Sequence, residues 1–356
     1  VPFFKPSGAT FSTILEILNS IPPVATHLEE SKERDVPLAG KPHGRLDLNQ
    51  NPNLEATLIY KGKRFMIDFL QMIVSGIAVG SSYALMGLAM VIIYKTSEVP
   101  NFAQGEMALI ASFFAFMLID SFGAAWYTAF AGALLFALVL GCVLEFAILR
   151  RAKEPNILGM IVITIGLEMI LLGFVSWKFG AEQKTLSFPI SPYESLVFGD
   201  IFISTLELLT LVVALVVMLL LFFFFRFSKL GLAVKATQQN SMAAKLMGIR
   251  TNRILMMTWG ISSFVGCLAG LLIAPTIMHP YMMWDPMLKG FAAAVMGGMT
   301  SLPGAVIAAY LLGIIENLFG GYISIEFKAV VAFAIIVIIL CFKPSGLFAK
   351  HYIKKV

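Results

Sequence analysis

The chain has 356 residues, of which 58% are apolar and only 13% charged, with a formal net charge of +5. Soluble globular chains average about 45–50% apolar and about 25% charged, so the composition excludes an ordinary water-soluble protein. The apolar residues fall in runs of about 20, the length that crosses a bilayer's hydrocarbon core, and the positive charge sits in the loops between them, where it orients helices rather than binding nucleic acid.

Residues 1–65 stand apart, rich in Pro, Asn and charge, with one short apolar stretch closed by Pro22 and Pro23. That stretch is too short to span a membrane, and a signal peptide's basic start and small-residue cleavage site are missing. An extramembrane N-terminal appendage is expected. Spans are then predicted over residues 68–94, 103–120, 127–149 and 157–176, followed by a polar loop over 178–203. Two more follow at 206–225 and 254–275. Residues 288–319 differ in kind, because Gly297, Gly298, Pro303 and Gly304 interrupt the apolar run. Each flank reads as short for a full span. Non-helical backbone at membrane depth survives only where protein or trapped water satisfies it, so the segment is expected to enter and return as two short helices. A last span covers 325–342, and residues 344–356 form a basic tail. The fold class expected is all-α: a polytopic transmembrane bundle of about eight membrane segments, counting the broken pair as one, with the transmembrane domain over 66–343.

Charge placement orients the bundle. Residues 226–253 carry Arg226, Lys229, Lys235, Lys245, Arg250 and Arg253 and no acid, which assigns this loop to the cytoplasm. Arg150, Arg151 and Lys153 mark a second cytoplasmic turn, and Lys343, Lys350, Lys354 and Lys355 put the tail there too. The loop at 178–203 mixes Lys178 and Lys184 with Glu182, Glu194 and Asp200, which suits the outside. Counting back places the appendage outside, against the pull of Lys61, Lys63 and Arg64.

No HExxH, GxSxG or GxxxxGK[ST] pattern occurs, and no catalytic or metal-binding residues are expected. Cys142, Cys267 and Cys341 lie separately in apolar runs and read as small packing side chains. Polar groups in or beside apolar spans are costly and so are functional suspects. They are Asn101, Gln104 and Glu106 at the start of the second span, Glu145, Glu168, Glu316 and Asn317. Ser81, Ser82 and Tyr83 follow a small-residue face containing Gly76 and Gly80 and read either as tight packing or as the lining of a polar path. In the basic loop, Asn240 or Ser241 can cap a short helix that Gly248 would stop, with Ala243, Ala244 and Met247 as a small apolar face.

Three stretches carry a family resemblance: GIAVGSSYALMGLAMVIIYKTSEVPNFAQGE at 76–106, SKLGLAVKATQQNSMAAKLMGI at 228–249 and FAAAVMGGMTSLPGAVIAAYLLGIIENL at 291–318. The chain resembles the permease subunits of branched-chain amino acid ABC importers over about residues 68–342. The resemblance implies a multi-pass protein of the bacterial inner membrane, surrounded by lipid and paired with a homologous second permease. It implies two cytoplasmic ATPase subunits that hold ATP and Mg, and an external solute-binding protein. The cargo implied is a branched-chain or other amino acid. Urea and short-amide importers share the same look, and a stand-alone secondary carrier or a membrane scaffold are the competing classes. In family terms the segment Ala236–Ile249, with Asn240, Ser241, Ala243, Ala244, Lys245, Met247 and Gly248, looks like a coupling helix that meets the ATPase. Ser81, Ser82, Tyr83, Asn101, Gln104 and Glu106 are expected to line or brace the solute path.

Overall fold

Apolar runs with few interior charges satisfy their backbone as helices, and the computed structural model, which describes residues 52–152, 156–191, 193–343 and 346–348, is built almost wholly of them. In chain order they are α1 (Pro52–Ser97), α2 (Gln104–Asp120), α3 (Trp126–Ala147) with a 3-10 turn at Leu149–Arg151, and α4 (Ile157–Phe179). After the loop come α5 (Thr205–Phe227), α6 (Lys229–Gln239), α7 (Ser241–Leu246) and α8 (Thr251–Ile273). The chain closes with α9 (Trp284–Gly297), α10 (Leu302–Tyr322) and α11 (Lys328–Phe342). The elements that build the site lie in one compact unit, Ile59–Val356.

Among the described residues, six helices are long and apolar enough to cross a membrane: α1 from Lys63 onward, α3, α4, α5, α8 and α10. The surface they show is the inverse of a soluble protein's. Leu158, Val162, Met169 and Ile170 on α4 and Leu219, Leu220 and Phe223 on α5 point outward, exposed, as side chains do where lipid replaces water. Behind them α1 forms the centre, buried without interruption from Tyr83 to Ile93, and its Gly87 lies against Gly290 of α9.

Contacts define two ends of the bundle. At one, the side chain of Gln71 receives the N–H of Phe202 at 2.8 Å and donates to its carbonyl at 2.6 Å, and Lys184 N–H donates to Met278 O at 2.8 Å. At the other, Lys95 Nζ donates to Thr300 O at 2.8 Å and Arg150 to Asn252 O at 3.1 Å. α1, α3, α5, α9 and α11 run from the first end toward the second; α4, α8 and α10 run back. α2 is different. Residues 98–103 fold back from the second end, and α2 starts beside Ser262 and Ala89, halfway along the bundle. Its 17 residues cover only about 25 Å.

Three expectations change. The predicted outer loop contains an antiparallel hairpin, β1 (Ser195–Phe198) with β2 (Ile201–Ser204), Ser195 facing Ser204. Its Leu, Val, Ile and Phe residues favour a pleated surface, and it leads into α5 through a capping box of Ser204 and Glu207. α1 begins at Pro52, so a helix enters the stretch assigned to the appendage; the rest of that assignment, and most of the tail at 344–356, lie outside the described residues. The two flanks of the break are unequal. α9 has 14 residues, but α10 has 21 and reaches span length. Pro303 sits in the first turn of α10, where a missing N–H costs nothing, so it starts the helix instead of shortening it.

The break itself is a tight turn at the second end. Gly298 has φ +98°, a conformation that β-carbon sterics deny most residues, and Gly297 meets Gly304 backbone to backbone. Leu347 N–H donates to Met296 O at 2.8 Å, so the start of the tail straps this turn.

Candidate functional site

Four of the residues predicted from the sequence fall into two assemblies, Asn101 with Gln104 and Tyr83 with Glu316. Asn101 and Gln104 form a buried knot that ties α2 to α1 and α8. Gln104 donates through Nε2 to Ser262 O at 3.1 Å, while Ser262 Oγ lies 2.6 Å from Ala89 O and 3.0 Å from Gln104 Oε1. Asn101 donates to Gln104 Oε1 at 3.3 Å and accepts Ala103 N–H at 3.1 Å. These bonds satisfy a chain that is non-helical at mid-bundle, as a nonpolar surround demands. Glu106, one turn into α2, is buried, and its Oε2 has no hydrogen-bond partner among the described residues. It joins neither assembly.

The second assembly was largely invisible in the sequence. Lys289 on α9 is held on three sides: it pairs with Glu316 of α10, with Asp285 at 2.8 Å, and donates to Tyr83 Oη of α1 at 3.1 Å. Tyr83 donates in turn to Glu316 Oε2 at 3.2 Å. Glu316 is only 1% exposed. An isolated charge here would be untenable, and the pairing is what permits it. Of the residues flagged from sequence, Tyr83 and Glu316 belong to this cluster. Lys289 was not singled out; its signal was a lone base at the head of an apolar run.

Tyr83 also faces a crevice of about 460 Å³ between α1, α5, the end of α8 and α9. Ser82 lines it with Tyr83, as do Glu207, Asp285 and His279. Ser81 does not. Its hydroxyl donates to Ile77 O at 3.0 Å within α1 and lies 3.5 Å from Tyr310 Oη, so it belongs to the α1–α10 contact. Glu145 and Asn317 have structural partners: Glu145 pairs with Arg150 at 2.8 Å, and Asn317 accepts from Lys328 at 2.8 Å. Glu168 is half-buried on α4.

The basic loop forms two helices at the second end. Asn240 Oδ1 accepts Ala243 N–H at 2.9 Å and caps α7, and Gly248 ends the turn with φ +82°. Ala236 is half-buried on α6; Ser241, Ala243, Lys245 and Met247 of the α7 turn are exposed, and Ile249 is half-buried as the chain enters α8. Ala244, expected on the outward apolar face, is 4% exposed and packs inward. The face that α7 presents is Met242, Leu246 and Met247.

Long apolar helices with outward apolar faces, wound around buried polar knots, define an integral membrane protein of the helical-bundle class. The family model described as branched-chain amino acid transport system / permease component matches residues 72–340. The chain is 31% identical over 301 residues to the high-affinity branched-chain amino acid transport system permease protein LivH of Escherichia coli (strain K12), covering 81% of this chain and 98% of that one. It is 30% identical over 303 residues to the corresponding permease protein BraD of Pseudomonas aeruginosa, with the same coverage. A solved structure, PsaBC from Streptococcus pneumoniae in complex with Fab, is similar with a TM-score of 0.44 and 14% identity over 80% of this chain and 95% of that chain. The chain belongs to the permease-component family of branched-chain amino acid transport systems. It is a multi-pass inner-membrane transport subunit.

Proposed function

We propose that this chain is the translocation-forming permease of an ATP-driven importer whose cargo is a branched-chain amino acid. The relatives named for that cargo match nearly end to end. The membrane domain then counts eight segments: the six long helices plus α2 and α11, with α9 completing the broken pair it makes with α10. The end bearing α6 and α7 faces the cytoplasm, because its loop carries six basic residues and no acid. A homologous second permease stands beside the chain, a solute-binding protein delivers cargo at the opposite end, and two ATPase subunits supply energy from ATP and Mg.

The observation that carries this reading is α7. A six-residue helix capped by Asn240 and stopped at Gly248 is a rigid knob on a loop, and among the described residues it leaves Met242, Leu246 and Met247 exposed. Exposed apolar side chains grouped at one point mark a contact surface. Arg250 and Lys245 flank it for acidic partners at the rim. Ala244 anchors the knob from behind, so Ala244→Glu disturbs the loop's own packing, whereas Met247 reports on docking.

A Met247→Cys variant tests sidedness and docking together. An impermeant maleimide is expected to label it in inside-out vesicles but not in intact cells, and co-assembled ATPase subunits are expected to protect it. Labelling from outside, or full labelling with the ATPases bound, would contradict the proposal.

A further inference from the structure

The lining of the crevice at Tyr83 combines apolar side chains, Leu206 of α5, Leu272 and Ile273 of α8, and Ile277 and Met282 beyond α8, with two carboxylates, Asp285 and Glu207. Asp285 also belongs to the Lys289 cluster, and that cluster decides what Asp285 is free to do. A lysine ammonium has three donors, and here they meet Glu316, Tyr83 and Asp285. Glu316 is fully enclosed and holds Lys289 whatever Asp285 does. Asp285, by contrast, has a side chain 62% exposed and lines the cavity. It can exchange Lys289 for an incoming cation without leaving a buried charge unpaired.

We propose that this crevice is a transit site for the cargo, in which Asp285 takes the α-ammonium group and the apolar lining residues take the branched side chain. The proposal rests on the amino-acid reading above and names the residue that enforces it. The volume, about 460 Å³, lies within the roughly 300–1,000 Å³ of small-molecule pockets. Ser204, His279 and Tyr281, all from the loop end of the bundle, are among its lining residues, and that is the end where a binding protein would release its load. His279 Nδ1 accepts the N–H of Tyr281 at 3.0 Å, which leaves Nε2 as its donor nitrogen. That donor gives the cargo carboxylate a partner at the rim. An uncharged amide brings no cation to take the place of Lys289, so Asp285 keeps its lysine and the amide gains no ion pair in the crevice.

The test uses the whole complex in proteoliposomes, with leucine as probe. Asp285→Asn is expected to lower leucine uptake about tenfold or more, and Asp285→Glu to retain most of it. A Ser82→Cys permease, with Cys142, Cys267 and Cys341 replaced, reports on the crevice while Asp285 stays intact. A cationic thiosulfonate is expected to label it several-fold faster than an anionic one, and leucine to slow that labelling. Adding Asp285→Asn should bring the two rates together. Leucine uptake unchanged by Asp285→Asn, or no protection by leucine in a complex that transports it, would overturn the proposal. A complex that takes up no leucine at all would instead overturn the reading of its cargo.

Discussion

Lys289 is the residue on which the most depends, since three helices meet at its ammonium: α1 through Tyr83, α10 through Glu316, and its own α9 through Asp285. Removing one partner of a buried ion pair costs about 3–5 kcal/mol, because the other is left charged and unsolvated. Replacing both by apolar residues of similar volume removes that penalty. Lys289→Met, which strands the enclosed Glu316, is expected to lower the unfolding temperature of the purified permease sharply; Glu316→Leu, which leaves Lys289 its bond to Asp285, is expected to lower it less, and the double variant to recover most of the Lys289→Met loss. Single variants that unfold with the wild type, or a double variant worse than either single one, would show that the pair does not hold α9 and α10 together. The sequence made Glu316 visible, because a carboxylate within an apolar run stands out. Lys289 escaped notice because its near neighbour is Asp285, four residues earlier, an ordinary pairing at a helix start. The partner that gives it meaning lies across the Gly297–Gly304 turn, 27 residues away, and no periodicity reaches that far.

At the scale of elements, close backbone approach does what side-chain packing does in a water-soluble core. Where α1 crosses α10, a Cβ added at Gly76 would sit 2.7 Å from Ile314 Cα, and one at Gly80 would sit 3.0 Å from Ala309 O and Tyr310 Cα. Lipid tails offer helices no hydrophobic drive to associate, so such contacts carry the interface. Gly76→Leu is expected to destabilise the permease by at least about 1–3 kcal/mol. Gly173→Leu on α4, with nothing within 4 Å of its added Cβ, serves as the comparison. Equal unfolding temperatures for the two variants in detergent would refute the role of this crossing. Much at this scale was legible beforehand. Hydropathy placed the runs that became α1 to α5, α8 and α11, and side-chain chemistry alone narrowed the α7 cap to Asn240 or Ser241, of which Asn240 is the one, and located the Gly248 stop. What it misjudged has physical causes. Pro303 reads as a breaker but sits at a first turn, where it is harmless, so α10 came out longer than expected. Ala244 and Ala243 are indistinguishable in composition, and only the tilt of α7 against the bundle turns one inward and the other outward.

For the whole molecule, polarity and connectivity converge on a relay. The crevice proposed for the cargo lies at the end with the β-hairpin, and the basic, acid-free loop lies at the other. α1 joins them: Tyr83 touches the crevice and the Lys289 cluster, and, one half-helix further on, Lys95 holds the α9–α10 turn at Thr300 while Thr96 lies 3.0 Å from Thr258 of α8. α8 in turn begins directly after α7 and Ile249. On the function proposed, a push on α7 would enter α8, which shares the Ser262–Gln104–Ala89 knot with α1 and α2. Transport by this route needs the whole assembly. The decisive measurement is leucine accumulation in proteoliposomes containing this permease, its partner permease, the ATPases and the binding protein. Uptake against a gradient is expected only with MgATP inside the ATPase compartment and binding protein outside, and it should vanish when either is withheld. Leucine uptake by the permease alone, or ATP-driven uptake of urea with none of leucine, would contradict the function proposed here.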